Sequence, residues 1–198
     1  MSVILGLNTG NTVILGADKQ LSTYNNKMVS DDGHKIVMVN NHLAFANAGN
    51  AAAQKMIELD IEKLNNKEDL VVEDVLDIIK TRYKQLEELG CKTLCSYSAY
   101  FIIAGMNKDG KLRLCSVSYL NGILGYSEEN QQFALFPPND VSMQVCSEIY
   151  IKNIYENPAN FVEKTVKDIS ELSCVVSSCG DKWVFDYKNT LCKHIRFE

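Results

Sequence analysis

The sequence lacks any run of basic residues. Its 20 Lys and Arg residues are outnumbered by 25 Asp and Glu residues, which gives a net charge of −5 over 198 residues. Nucleic-acid-binding proteins carry a concentrated basic patch or stripe, and an acidic balance without such a run does not favour that function. We therefore expect no nucleic acid among the partners.

Long apolar runs are also absent. None approaches the roughly 18 to 20 residues that a membrane helix needs. The N-terminus lacks the basic region and long apolar region of a secretory signal peptide. We therefore expect no membrane association and an intracellular, cytoplasmic protein. An apolar content of 46% and a charged content of 23% are typical of a globular chain, and we predict a single domain over residues 1–198.

The cysteine count is odd, which argues against a closed set of disulfides. Seven cysteines fit free thiols in an intracellular protein, and we expect Cys146 and Cys174 to be buried in helices as small apolar residues. The spacings Cys91–Cys95 and Cys192–His194 invite a zinc interpretation. A structural zinc site needs two suitably spaced ligand pairs, and the second pair lies on a predicted strand. We expect no metal and no cofactor.

Strand-like and helix-like patterns alternate in blocks along the chain. Apolar runs separated by short turns predict hairpins, whereas apolar residues spaced three and four apart predict helices. The predicted strands cover residues 3–8, 12–18, 35–40, 42–48, 98–106, 111–119, 132–136, 183–187 and 190–197. The predicted helices start near residues 53, 75, 137 and 158, and the second is expected to end at Gly90.

This order predicts an α+β fold. Because the strands arrive as hairpins, their sheets are expected to be mainly antiparallel. Because the helices come in pairs, each pair can cover one outer face of two stacked sheets. The result is a four-layer α/β/β/α sandwich, and it explains why the first strands are apolar on both faces.

The N-terminal part of the chain resembles the β-type subunits of proteasomes and their simpler bacterial two-ring relative, which are N-terminal-nucleophile hydrolases. The matching stretches are SVILGLNTGNTVILGADKQLST from residue 2, HKI at 34–36 and FANAGNAAAQKM at 45–56. The resemblance is specific over residues 2–56, and the order of elements agrees along the whole chain. It implies the four-layer fold of that family.

The resemblance also implies roles for individual residues. Ser2 falls on the family's nucleophile position and would be exposed by removal of Met1. Asp18 and Lys35 fall on a buried carboxylate and the catalytic lysine, and Gly49 on the glycine whose N–H stabilises the oxyanion. A buried charge is tolerated when it is paired and hydrogen-bonded, so Asp18 ending an apolar strand is expected to bind Lys35.

Other expected site residues follow the same resemblance. Ser22 and Thr23 lie where the family's substrate-binding strand would run, so that a peptide could add itself as a further strand. The family also carries a Gly-Ser-Gly turn before its third helix and an Asp-x-x-Ser-Gly motif after its fourth. Here these regions contain FALFPPNDVS and SELSCVVSSCGDKW. Ser178 or Cys179 is the candidate for the serine of the Asp-x-x-Ser-Gly motif.

Three functions remain open on the sequence. The first is a serine- or threonine-type N-terminal-nucleophile peptidase, which acts on peptides or unfolded proteins as a homo-oligomeric ring or spiral, with an ATPase unfoldase as a possible partner. The second is a catalytically inactive proteasome-like subunit or scaffold, which the two missing motifs favour. The third is a small-molecule amidase of the wider class.

Overall fold

The computed structural model describes residues 2–22, 28–89 and 98–198. The strands within these ranges are β1 (Ile4–Asn8), β2 (Thr12–Asp18), β3 (Leu21–Ser22), β4 (Met28–Ser30), β5 (Ile36–Asn40), β6 (Leu43–Gly49), β7 (Ala99–Met106), β8 (Leu112–Leu120), β9 (Ile123–Tyr126), β10 (Phe133–Phe136), β11 (Gly180–Asp186) and β12 (Leu191–Phe197). The helices are α1 (Ala51–Glu62), α2 (Val72–Glu88), α3 (Met143–Glu156) and α4 (Phe161–Ser170), with a 3₁₀ turn at Lys67–Asp69.

The described strands form two five-stranded sheets and a small ribbon. The first sheet has the order β10-β1-β2-β11-β12, the second has the order β5-β6-β7-β8-β9, and β3 pairs with β4. The pairings are antiparallel, including β2 with β11, where Asp18 lies opposite Gly180. The antiparallel α+β class predicted from the hairpin pattern is confirmed.

Three apolar cores separate four layers. One core lies between α1–α2 and the second sheet and contains Phe45 and Ile57. The next lies between the two sheets and contains Leu15 and Trp183. The third lies between the first sheet and α3–α4 and contains Tyr150. Because each sheet buries apolar side chains on both faces, the α/β/β/α sandwich follows.

Strand β1 shows why the chain start is apolar on both faces. Ile4 packs in the core between the sheets, whereas its neighbours Val3 and Leu5 pack in the core beneath α3 and α4. Side chains alternate across a strand, so a strand covered on both sides needs apolar residues at successive positions. This packing fixes the backbone directly after Ser2.

Some boundaries differ from the sequence prediction. Helix α3 begins at Met143 and not at Pro137, because the Ser142 side chain accepts a hydrogen bond from the Val145 N–H and caps the helix there. Strand β9 was not predicted, and Gly90 lies outside the described residues. Cys146 is buried as expected.

The prediction for Cys174 was wrong. It lies exposed in the loop that follows α4, because that helix ends at Ser170.

No helix in the described ranges combines the length and apolar character required to cross a membrane.

Candidate active site

The carboxylate of Asp18 lies beside the beginning of the chain. The Val3 N–H donates to Asp18 Oδ1 at 3.0 Å, and the Asp18 N–H donates back to the Val3 carbonyl at 3.3 Å. Asp18 is 1% exposed, and Ser2, one residue before Val3, is 7% exposed. The end of β2 therefore fixes the backbone that carries Ser2.

Lys35 reaches the same carboxylate oxygen from the other sheet. Its Nζ lies 2.8 Å from Asp18 Oδ1, and the side chain of this residue is nearly fully buried. Lys35 immediately precedes β5, and its carbonyl accepts a hydrogen bond from the Asn47 N–H of β6 at 2.9 Å. Since the Val3 N–H and the Lys35 ammonium share one oxygen, the cation lies close to the chain start.

Backbone groups bind the second oxygen of Asp18. The Gln20 N–H donates to Oδ2 at 3.0 Å, and the Ser177 N–H donates to it at 3.4 Å. A buried carboxylate without donors would cost free energy, and these contacts together with Lys35 satisfy it. The charged side chains expected to meet are thus brought together.

Burial dominates the electrostatics of this pair. It raises the pKa of Asp18 above its ordinary value, although Lys35 and the N–H donors act in the opposite direction. Burial likewise lowers the pKa of Lys35, against the attraction of Asp18 and Asp31. Both shifts have the same physical cause, which is loss of hydration of the charged form.

Gly49 lies at the junction of β6 and α1 and needs to be glycine. Its φ is +93°, a conformation that side chains disfavour, and a Cβ there would approach the Ser98 carbonyl oxygen to 2.3 Å. Directly after it, the Asn50 side chain accepts from the Ala52 N–H at 2.9 Å and caps α1. Gly49 is also exposed and lies directly before the cap of α1.

The remaining predicted site residues, Ser22, Thr23 and Ser178, are less closely associated with the Asp18–Lys35 pair. Ser22 ends β3, and its Oγ accepts a hydrogen bond from Gln20 Nε2 at 3.3 Å. Thr23 lies outside the described residues. The Ser178 side chain is exposed, whereas the backbone of its neighbour Ser177 reaches Asp18.

Sequence reasoning missed the three backbone N–H groups that bind Asp18, which belong to Val3, Gln20 and Ser177. A backbone donor such as the Ser177 N–H leaves no signal in residue type. The Gln20 N–H could have been expected, because an Asp at the end of a strand often binds the N–H two residues further on.

Two acidic residues near the C-terminus, Asp168 and Asp181, could by residue type supply the Asp of the missing Asp-x-x-Ser-Gly motif, although their spacing does not match it. Asp168 belongs to the contact between α3 and α4, where it accepts from Asn153 Nδ2 at 3.0 Å and pairs with Lys164. Asp181 lies in β11 opposite Ala17 and is 3% exposed. Neither residue makes a described contact with the Asp18 carboxylate.

The zinc interpretation has no support in the part of the chain that is described. Within it, no group of three or more His, Cys, Asp or Glu side chains is arranged to hold a metal ion. Cys192 instead accepts a hydrogen bond from Trp183 Nε1 at 3.1 Å. Cys91 and Cys95 lie outside the described residues.

Comparison with known proteins identifies the class. The family model for proteasome subunits matches residues 2–128 of this chain. The chain belongs to the proteasome subunit family, whose members assemble into oligomeric rings. A search of curated proteins found no match.

Proposed function

We propose that this chain is an N-terminal-nucleophile peptidase of proteasome type, with Ser2 as the nucleophile. The observation that carries the proposal is the shared oxygen of Asp18, which accepts from both the Val3 N–H and the Lys35 ammonium. This contact brings a buried cation close to Val3, the residue that follows the one that would bear the reacting hydroxyl.

The chemistry follows from these groups. A serine hydroxyl is a poor nucleophile and needs a base. Once Met1 is removed, the α-amine of Ser2, with an ordinary pKa of about 7.7 to 8.0, can accept the hydroxyl proton directly or through water. The oxygen then attacks the peptide carbonyl, and the amine returns the proton to the leaving amine. Water hydrolyses the resulting ester.

Lys35 and Gly49 would stabilise the charges that develop. The ammonium of Lys35 would favour the neutral form of the neighbouring amine and the ionised form of the hydroxyl through its positive charge, and Asp18 would keep the ammonium in place. The Gly49 N–H would bind the tetrahedral oxyanion, a contact worth about 10²- to 10³-fold in rate. A peptide would add itself as a further strand beside Ser22 and Thr23, where the family's substrate-binding strand would run.

The proposal extends to the assembly. We propose a cytoplasmic homo-oligomeric ring or spiral that acts on peptides or unfolded protein, with an ATPase unfoldase as partner. Small-angle X-ray scattering of the purified chain tests this part, because a monomer at micromolar concentration contradicts a closed compartment.

The first experiment concerns the N-terminus and Ser2. Intact mass is expected to show loss of Met1, and a peptide epoxyketone or boronate probe is expected to label the protein. Ser2→Ala should abolish labelling, whereas Ser170→Ala should not, since Ser170 lies at the end of α4, where its hydroxyl donates to the Lys167 carbonyl. Labelling that persists in Ser2→Ala would place the nucleophile elsewhere.

Two observations favour the second candidate, an inactive subunit. Ser178 is exposed, and the segment before α3 contains PPND in place of a Gly-Ser-Gly turn. Retention of Met1 on protein isolated from its natural host would select this alternative.

A further inference from the structure

The loop at residues 173–179, which follows α4, contacts the end of β2 in several places. The Cys174 carbonyl accepts from Gln20 Nε2 at 3.2 Å, and the Cys179 carbonyl accepts from the Lys19 N–H at 3.1 Å. Between these two points, the Ser177 N–H donates to Asp18 Oδ2 at 3.4 Å. The 173–179 loop is therefore a wall of the site.

The interior of this loop is apolar and packs beneath the chain start. Val175 and Val176 are buried in the same core as Val3. A shift of the loop would thus move both the backbone beside Ser2 and the N–H that binds Asp18.

Asp140 fixes the beginning of the loop from outside the site. One of its oxygens accepts from Ser173 Oγ at 2.8 Å, and the other accepts from the Cys174 N–H at 2.9 Å. The Cys174 thiol also donates to that second oxygen at 3.3 Å. Both oxygens of one carboxylate are thus directed at two consecutive residues of the loop.

The position of Asp140 makes this contact strong for an exposed residue. It lies two residues before Ser142, which caps α3, so only a short segment separates it from the start of that helix. Burial would raise the pKa of Asp140, but hydrogen bonds from Ser173 and Cys174 outweigh that effect and lower it. Charge-assisted hydrogen bonds of this kind are stronger than neutral ones.

We propose that Asp140 is a positioning residue for the Ser2 site: its carboxylate fixes the 173–179 loop, and through the loop it holds the Gln20 and Ser177 contacts at Asp18. The segment before α3 and the loop after α4 lack the Gly-Ser-Gly and Asp-x-x-Ser-Gly motifs. In this chain Asp140 joins those two segments directly. Its kinetic consequence rests on the proposed function, whereas its effect on Asp18 does not.

The test compares Asp140→Ala and Asp140→Asn with Asp168→Asn as a control. Asp168 is also a carboxylate with a lowered pKa that accepts side-chain hydrogen bonds, but it joins α3 to α4. Asp140→Ala is expected to speed backbone hydrogen exchange in the 173–179 loop and to raise the titration midpoint of Asp18, followed by ¹³C NMR of the carboxyl carbon. Asp140→Asn keeps an acceptor and should show smaller changes.

The kinetic expectation is specific. Asp140→Ala should lower the rate of probe labelling at Ser2, and kcat for a peptide substrate, by about tenfold, which corresponds to about 1.4 kcal/mol. KM should change less than twofold, since Asp140 touches no predicted substrate position. Asp168→Asn should leave the Asp18 midpoint and kcat unchanged, whatever it does to thermal stability.

The outcomes separate the two proposals. If wild-type protein is not labelled, the peptidase proposal fails, and the Asp18 midpoint alone decides the role of Asp140. A midpoint that moves in Asp140→Ala but not in Asp168→Asn supports the positioning role. An unchanged Asp18 titration midpoint in Asp140→Ala overturns the positioning role. If the wild-type protein is active, an unchanged kcat in Asp140→Ala overturns it as well.

Discussion

Two carboxylates contact the same 173–179 loop at different residues, and their environments differ. Asp18 is 1% exposed and binds the loop through the Ser177 N–H. Asp140 is exposed and binds it through Ser173 and Cys174. Burial raises the pKa of Asp18, whereas hydrogen bonds outweigh burial and lower the pKa of Asp140.

The difference shows that accepting hydrogen bonds does not by itself set the direction of a pKa shift. Both groups accept backbone N–H bonds, which favour the charged form. For Asp18 the cost of dehydration is larger, and the structure places a lysine beside it as compensation. Asp140 keeps its contact with water and needs no cation. A buried pair of this kind is better explained as part of a site than as a source of stability.

The largest expected effect comes from breaking the pair. Asp18→Ala should lower the free energy of unfolding by about 3 to 5 kcal/mol, because it leaves the Lys35 ammonium buried without its partner. Denaturant unfolding followed by circular dichroism measures the change.

Lys152→Ala is the matched control, since it breaks the Lys152–Glu156 pair on α3, whose side chains are 65% and 60% exposed. No measurable change is expected there, because exposed ion pairs contribute little. Equal losses in the two variants would contradict the importance given to burial.

The next largest expected effect is a difference in how Asp18 and Asp140 contribute to the stability of the fold as the pH changes. Folding raises the pKa of Asp18 above its ordinary value of 3.8. Its contribution to stability is therefore full below pH 3.8 and is lost as the pH rises through the folded pKa. Folding lowers the pKa of Asp140, so its contribution is present above 3.8 and is lost as pH falls through the folded pKa.

NMR titration of the two carboxyl carbons measures this directly. The Asp18 midpoint is expected above 3.8, and the Asp140 midpoint below it. Two midpoints on the same side of that value would remove the contrast between the two environments.

Much of the fold was predictable from pattern. The β-formers of residues 12–18 end at a charge, and the observed β2 has those same bounds. The hairpin pattern and the paired helices were sufficient to predict the four layers, because each sheet is apolar on both faces and must pack against another layer on each of them. The juxtaposition of Asp18 and Lys35 was expected from the family resemblance, and the structure brings them to 2.8 Å.

The features that escaped prediction depend on tertiary structure or on backbone groups. The 173–179 loop binds Asp18 through an N–H, which any residue supplies. The role of Asp140 depends on α4 ending at Ser170, which leaves Ser173 free to turn toward it. Strand β9 is short and follows a turn in which Asn121 and Gly122 both have positive φ, so its apolar pattern was too brief to detect.

The smallest expected effect concerns a third carboxylate, which extends the comparison to a buried oxygen that accepts no hydrogen bond. Asp181 is 3% exposed, yet within the described chain its Oδ1 has no hydrogen-bond partner. Arg196 and His194 approach that oxygen only to 3.8 Å. Because no hydrogen bond at Oδ1 is lost, Asp181→Asn should change the free energy of unfolding by less than about 1 kcal/mol. A loss as large as that expected for Asp18→Ala would contradict this prediction. It would mean that the half-exposed Arg196 stabilises Asp181 as strongly as Lys35 stabilises Asp18. Side-chain exposure would then not explain the difference expected between the two ion pairs.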